Sequence, residues 1–130
     1  MFVKLTHFHE YSILSLNGKI NGFSALQLMH EFRTLLSQYQ GLSTWIFDLS
    51  KFEIADSTGL GAFVECLKRA NAEGKSVKLA EVQSKSQGLL KVSRIHYIFK
   101  IYPSLEEAIK ATPQKLESGM ENTQKCLVAA

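Results

Sequence analysis

Residues 44–49, with the sequence TWIFDL, form an almost uninterrupted run of apolar and β-prone side chains. Such a run is typical of a strand that is covered on both faces, so it predicts a central strand of a sheet. The segments on either side have apolar residues at helical spacing. Strands and helices then alternate to about residue 111, which predicts an α/β fold that opens with a β-hairpin.

Turn and capping residues set the bounds of the predicted elements. Asn17-Gly18 is expected to end the second strand, and Ser24, with Gln27 three residues later, is expected to cap the first helix. The predicted strands cover residues 2–5, 11–16, 44–49, 77–82 and 98–101, and the predicted helices cover residues 25–39, 57–71, 86–92 and 105–111.

The chain length of 130 residues fits one domain, which we expect to cover residues 1–112. Beyond Thr112 the sequence is polar and has no periodicity apart from residues 126–128. We therefore expect residues 113–130 to be a C-terminal tail, either mobile or a frayed helix.

The charge and the apolar pattern exclude several function classes. The formal net charge of +3 is small and the lysines are scattered, so direct nucleic-acid binding is not expected. No apolar run approaches the roughly 20 residues that cross a membrane, and residues 1–10 do not resemble a signal peptide. The two cysteines, Cys66 and Cys126, do not form a disulfide framework. A cytoplasmic protein with reduced thiols and no membrane insertion is the expectation, and the oligomeric state is left open.

The junction between the central strand and the second helix carries the most chemical information. Asp56 or Ser57 can cap this helix by accepting a hydrogen bond from a free amide of the first turn. A helix N-terminus also favours negative charge, so the backbone would tolerate a phosphate on Ser57. Gly59 and Gly61 each cost about 1 kcal/mol relative to alanine in a helix, which makes sense where backbone or a partner approaches closely. A plain capped helix start with small residues for packing explains the same pattern, and both interpretations stay open here.

Residues 54–61, with the sequence IADSTGLG, resemble the phosphorylation loop of STAS domains, specifically that of bacterial anti-sigma factor antagonists. The resemblance runs from about residue 2 to residue 111 and includes the turn at residues 17–21, the strand end at residues 47–49 and the late helix at residues 104–109. It implies a STAS-type mixed β-sheet of four to five strands, with helices packed mainly on one side.

The same resemblance assigns roles to individual residues. It implies that Ser57 is the phosphoacceptor, that Asp56 orients its hydroxyl and that Thr58 is a minor acceptor. The implied phosphorylation-loop and partner-binding residues are Asp56, Thr58, Gly59, Leu60, Gly61 and Asn21. One departure stands out, because the Gly-Glu-Leu/Ile-Asp turn of the family corresponds here to residues 18–21, with the sequence GKIN. Both acids are absent, so a partner surface of different charge is expected at this turn.

The resemblance further implies a binding protein that is not an enzyme and has no catalytic residue, cofactor or metal of its own. Its unphosphorylated form would bind an anti-sigma factor that is a serine kinase of the histidine-kinase-like ATPase fold. Phosphorylation of Ser57 would switch it off, and a PP2C-like serine phosphatase would reset it. The alternative is a STAS-domain structural or adaptor subunit of a signalling or lipid-transport assembly, in which Ser57 is only part of the helix start.

Other kinds of site fit the sequence less well. A dinucleotide-binding loop would need a third glycine where Val64 stands, and a hydrolase nucleophile elbow would need a glycine in place of Ala55. A response-regulator receiver would use Asp48 as its phosphoacceptor and would need further carboxylates to hold Mg²⁺. The early strands end without such an acidic pair. His7 and His9 lack further ligands for zinc, so surface histidines are expected.

Overall fold

The computed structural model describes residues 2–8, 11–92, 94, 99–112 and 127–129. In chain order these residues form β1 (Phe2–His7), β2 (Tyr11–Ile20), α1 (Ala25–Gln38), β3 (Thr44–Ile54), α2 (Ser57–Ala72), β4 (Ser76–Ala80), α3 (Ser84–Val92), β5 (Lys100–Tyr102), α4 (Leu105–Lys110) and β6 (Leu127–Ala129). Within this described part of the chain, no helix is long and apolar enough to cross a membrane.

The strands form one mixed sheet in the order β5-β4-β3-β2-β1-β6. β3 lies at its centre and pairs in parallel with both β2 and β4, while β1 is antiparallel to β2. The α/β class and the mixed sheet with five strands between residues 2 and 102 confirm the fold predicted from the sequence.

The sixth strand corrects one expectation. Leu127–Ala129 pairs antiparallel with Val3–Leu5 at the outer edge of β1, so these three residues are neither a mobile tail nor part of a frayed helix. Their backbone supplies hydrogen-bond partners to a strand edge that would otherwise be open. Residues 113–126, including Cys126, lie outside the described residues, and the domain boundary at residue 112 stays a prediction.

The helices are distributed unequally over the two faces of the sheet. The larger core lies between one face and α1, α2 and α3, and its aromatic centre consists of Phe32, Trp45, Phe47, Phe52 and Phe63. On the other face α4 covers a small cluster that contains Ile46 and Ala108. Trp45 and Ile46 thus point to opposite faces and are both fully buried, as expected for a central strand.

β2 and β3 are longer than the sequence predicts. β2 continues through Asn17 and Gly18 because the register shifts between Ser15 and Asn17 and Gly18 adopts a φ of 125°. Because of this irregularity, Asn17 and Gly18 stay within the strand and do not end it. β3 continues beside it to Ile54, so the predicted loop after Ser50 is mostly strand.

The remaining elements follow the predictions with shifts at their ends. β4 ends at Ala80, before Glu81, whose φ of 62° leaves the extended region. α3 begins two residues before its predicted start, and β5 is described only from Lys100, since residues 95–98 lie outside the described residues. Ser104 caps α4, because its hydroxyl oxygen accepts a hydrogen bond of 3.2 Å from the Glu107 amide.

Candidate functional site

β2 and β3 end side by side, and their ends position the start of α2. Ile20 and Ile54 are paired across the two strands, and the Ala55 amide donates a hydrogen bond of 2.9 Å to the Ile20 carbonyl. The buried hydroxyl of Ser86, on α3, accepts a hydrogen bond of 3.3 Å from the Ile54 amide. The short connection from β3 to α2 is therefore fixed from two sides.

Asp56 is the N-cap of α2. Its backbone is extended, with φ −154° and ψ 177°, and its carboxylate accepts a hydrogen bond of 2.8 Å from the Gly59 amide. A cap of this kind stabilises a helix by about 0.5–2 kcal/mol. The choice between Asp56 and Ser57 that the sequence left open is settled in favour of Asp56, and any further role of its carboxylate towards the Ser57 hydroxyl stays a prediction.

Ser57 is the first residue of α2 and is exposed, as is Thr58. Neither hydroxyl makes a hydrogen bond to another residue in the described part of the chain. Because the cap is supplied by Asp56, the helix does not depend on the Ser57 side chain. A phosphate on this hydroxyl would lie beside the free amides of the first turn, where the helix dipole favours negative charge.

Gly59 brings the first turn of α2 against the end of β2. A β-carbon at this position would lie 2.4 Å from the Ile20 carbonyl oxygen and 3.1 Å from the Asn21 nitrogen. Only glycine allows this approach without movement of the backbone. Gly59 is buried, so it positions α2 against β2 and is not itself part of the exposed surface.

Gly61 and Leu60 face different surroundings. Gly61 is exposed, and a β-carbon there would meet nothing within 4 Å. Leu60 is half-buried and packs against the main core. Of the two glycines in the motif, only Gly59 is therefore required by the packing of the chain itself.

Asn21 organises the turn between β2 and α1. Its side-chain oxygen accepts hydrogen bonds from the amides of Phe23, at 2.8 Å, and Ser24, at 3.1 Å. The Ser24 hydroxyl accepts from the Asn21 amide at 3.0 Å and donates to the Lys19 carbonyl at 2.8 Å. The side-chain oxygen of Asn21 makes hydrogen bonds that an aspartate oxygen could also make. An asparagine in place of the family's aspartate therefore removes the negative charge but keeps the turn.

The expected cap of α1 is wrong. Ser24 has helical backbone angles, φ −86° and ψ −7°, and its side chain makes no capping bond to the helix. The hydroxyl is already engaged with Asn21 and Lys19, so the predicted pairing with Gln27 does not form. The spacing of Asn21 and Ser24 was the available signal, because an asparagine readily bonds to backbone amides two or three residues ahead of it.

The β2–α1 turn and the start of α2 form one surface. A β-carbon on Gly22 would lie 4.0 Å from the Thr58 methyl carbon, and Gly59 is in close contact with the backbone of Ile20 and Asn21. The structure therefore brings Asn21 together with the predicted site residues of the loop, although they are far apart in sequence. Phe23, for which the sequence pattern gives no functional signal, lies on the same turn.

Two buried ionisable side chains, Cys66 on α2 and Lys78 on β4, lie outside this surface. Burial raises the pKa of the Cys66 thiol to about 12, with a smaller contribution from Glu65, so Cys66 is a neutral core residue of α2. Burial also lowers the pKa of Lys78, with Lys100 adding to the effect. The Lys78 ammonium donates hydrogen bonds to the carbonyl of Ala111 and the hydroxyl of Thr112, which end the α4 region.

Solved structures of other proteins share this fold. An anti-sigma factor antagonist from Mycobacterium paratuberculosis superposes with a TM-score of 0.70 at 20% identity, over 85% of this chain and 93% of that chain. A putative anti-sigma factor antagonist from Thermotoga maritima gives 0.69 at 24% identity, over 82% and 90%. The Bacillus cell fate determinant SpoIIAA in its phosphorylated form gives 0.57 at 17% identity, over 81% and 96%. At these identities the likeness establishes the fold.

The sequence itself matches the STAS domain family over residues 3–108, a span that runs from β1 into α4 and includes the loop around Ser57. Since the match covers most of the chain and the sheet order and helix packing agree with it, this chain belongs to the STAS domain family.

Proposed function

We propose that this chain is a phosphorylation-gated binding protein that acts as an anti-sigma factor antagonist. Its unphosphorylated form binds an anti-sigma factor that is also a serine kinase of the histidine-kinase-like ATPase fold, and so frees a sigma factor or another sequestered regulator. The kinase, with its own ATP and Mg²⁺, phosphorylates Ser57 and ends the complex. A PP2C-like phosphatase restores the unphosphorylated form. In this scheme the chain works in the cytoplasm and contributes no catalytic group.

The observation that carries the proposal is the position of Ser57. It is exposed at the first position of α2, and the capping of that helix is performed by the neighbouring Asp56. A kinase can therefore reach the hydroxyl, and a phosphate there does not remove a structural hydrogen bond. The fold that the chain shares with SpoIIAA, which is described in unphosphorylated and phosphorylated forms, supports the same interpretation.

The switch follows from charge at the contact surface. Phosphorylation adds about −1.5 to −2 charges and three strong hydrogen-bond acceptors to the uncharged Ser57 hydroxyl. A partner that fits the neutral hydroxyl must then bury or face a dianion. Since every 1.4 kcal/mol lowers affinity about tenfold, a few kcal/mol of repulsion and desolvation would release the partner.

The test uses the serine kinases of the histidine-kinase-like ATPase fold from the source organism, each purified and mixed with this protein and ATP. We expect one of them to phosphorylate Ser57, as located by mass spectrometry, and to bind the unphosphorylated protein more tightly than the phosphorylated one. Ser57→Ala should abolish labelling and keep binding. Ser84→Ala is a matched control, because Ser84 is an exposed serine at the first position of α3.

Full-rate labelling of the Ser57→Ala protein at a residue other than Thr58 would contradict the assignment. If none of the kinases labels or binds the protein, and the protein isolated from its native host carries no phosphate at Ser57, the phospho-switch is wrong. The chain would then be better described as a structural or adaptor subunit.

A further inference from the structure

We infer that Phe23 and Leu26 form an apolar anchor that inserts into a neutral, apolar pocket on the proposed kinase partner, and that this anchor selects the partner independently of the charge on Ser57. The inference rests on the proposed function and adds to it the chemistry that the partner must present opposite the β2–α1 turn.

Phe23 and Leu26 are unusually exposed for large apolar side chains. Phe23 is 95% exposed and Leu26 is 76% exposed, whereas the core residues Leu28 and Phe32 of α1 are 1% exposed each. Phe23 lies on the turn that precedes α1 and Leu26 is the second residue of α1, so both belong to the start of this helix. Large apolar side chains exposed near each other mark a candidate contact with another molecule.

The turn that carries Phe23 is held by hydrogen bonds. The Phe23 amide is held by the Asn21 side chain at 2.8 Å, and the Asn21 amide is held by the Ser24 hydroxyl at 3.0 Å. The β2–α1 turn also lies against α2, because Gly59 closely approaches Ile20. A side chain displayed on such a pre-formed turn loses little conformational freedom on binding, so more of its apolar burial is available as affinity.

The turn that carries Phe23 is continuous with the Ser57 surface. Gly22, which precedes Phe23, lies near the Thr58 methyl group, since a β-carbon added to Gly22 would be 4.0 Å from it. A partner that covers Ser57 and Thr58 is therefore also brought to this turn. One partner can cover both the anchor and the phosphoacceptor. The two differ in chemistry, because the anchor is apolar and the phosphoacceptor becomes negatively charged when it is phosphorylated.

The turn carries little charge. Between residues 11 and 30 the chain has no aspartate or glutamate, and Lys19 is the single lysine or arginine. The carboxylate of Asp56, at the start of α2, is engaged by the Gly59 amide. The surface complementary to Phe23 and Leu26 is therefore an uncharged apolar pocket, which distinguishes this partner from one that recognises an acidic turn.

The experiment measures binding and phosphorylation with the purified kinase that labels Ser57. We expect Phe23→Ser to weaken the affinity of the unphosphorylated protein about tenfold or more, as for a central apolar residue of an interface, and Leu26→Ser to weaken it less. Phe23→Leu, which keeps an apolar side chain, should restore most of the affinity. Val92→Ser is the matched control, because Val92 is 80% exposed at the end of α3 and should change nothing.

Kinetics add a second readout. An anchor that binds equally in the ground state and the transition state raises KM and leaves kcat unchanged when it is removed. We therefore expect a KM about tenfold higher for Phe23→Ser with kcat preserved, and an unchanged melting temperature, since neither side chain contributes to the core.

Three results would overturn the inference. An unchanged dissociation constant for the Phe23→Ser, Leu26→Ser double variant, while the kinase still binds and labels the wild type, would reject the anchor and leave the proposed function standing. A wild-type protein that self-associates in sedimentation, and a Phe23→Ser variant that does not, would assign the patch to a second copy of the chain. If no kinase of this class binds the wild type, the anchor and the proposed function both fail.

Discussion

The carbonyl oxygen of Ile20 lies so close to Gly59 that a β-carbon on this glycine would approach it to 2.4 Å. The same carbonyl accepts the hydrogen bond of the Ala55 amide at 2.9 Å, so it cannot turn away without breaking that bond. One backbone group of β2 therefore fixes both the end of the β3–α2 connection and the depth at which α2 is seated.

The first prediction follows from this contact. Gly59→Ala should lower the free energy of unfolding by about 1–3 kcal/mol, the usual cost of overpacking, because the clash is with backbone atoms. Gly61→Ala should instead raise it by up to about 1 kcal/mol, because this position is open and alanine favours helix. Urea denaturation of the two variants measures both effects. Equal changes at the two positions would mean that α2 can shift to relieve the contact.

The second prediction concerns the exposed glycine. Gly61→Trp should abolish binding to the kinase while the circular dichroism spectrum stays that of the wild type, because the indole projects from an open position beside Ser57. A calorimetric titration measures the affinity. An unchanged dissociation constant would move the interface away from the start of α2.

The third prediction concerns the release of the partner. Ser57→Glu or phosphorylated Ser57 should weaken binding strongly with little change in melting temperature, because a negative charge at the first turn stabilises the helix by about 0.3–1 kcal/mol. Amide hydrogen exchange should change only near residues 56–62 and in the adjacent loops. If exchange rises across the whole sheet and the melting temperature falls sharply, release works by unfolding and not by charge at the interface.

The fourth prediction separates the two properties of Asn21. Asn21→Ala should cost about 0.5–2 kcal/mol, because the Phe23 and Ser24 amides lose their acceptor. Asn21→Asp should keep the stability of the wild type, because a carboxylate oxygen accepts the same bonds. Thermal denaturation of both variants checks this expectation, which would be refuted by an aspartate as destabilising as the alanine.

The fifth prediction concerns Cys66 and pH. Burial raises its pKa in the folded protein to about 12, above the 9.0 of an ordinary cysteine thiol, so the folded state resists loss of the proton. The contribution of this group to stability is full below pH 9 and is lost as the pH rises towards 12, because the unfolded thiol ionises first. In a Cys126→Ser background, iodoacetamide at pH 9 should react with Cys66 about a hundredfold more slowly in the folded protein than in urea. Comparable rates would show that the thiol is accessible and ionised.

The sequence was a good guide to the fold where local signals agreed with the tertiary structure. The run at residues 44–49 predicted the central strand, because burial on both faces leaves a continuous apolar pattern. The same signals failed where a long-range pairing overrode them. Asn17-Gly18 reads as a turn, but the neighbouring β3 extends alongside and keeps both residues in the strand.

The site shows the same division. Asp56, Ser57 and Gly59 could be identified from a contiguous motif, and Asp56 emerged as the cap only from its geometry. The family resemblance included Asn21 in the site, but the close approach of Gly59 to Ile20 could not be predicted, because it joins segments far apart in sequence. Phe23 carries no local signal of exposure, since an isolated phenylalanine before a helix is equally consistent with burial.

The capping of α2 by Asp56 has a consequence for how this protein tolerates mutation. Because Asp56 caps the helix and Gly59 seats it, the Ser57 side chain is not needed for folding, and Ser57→Ala, Ser57→Asn and Ser57→Thr should all fold as well as the wild type. If Ser57 is the phosphoacceptor, as proposed, its loss would therefore be invisible to any selection for stability or expression. A descendant of this protein would then lose the proposed switch in a single substitution and remain a fully folded STAS domain.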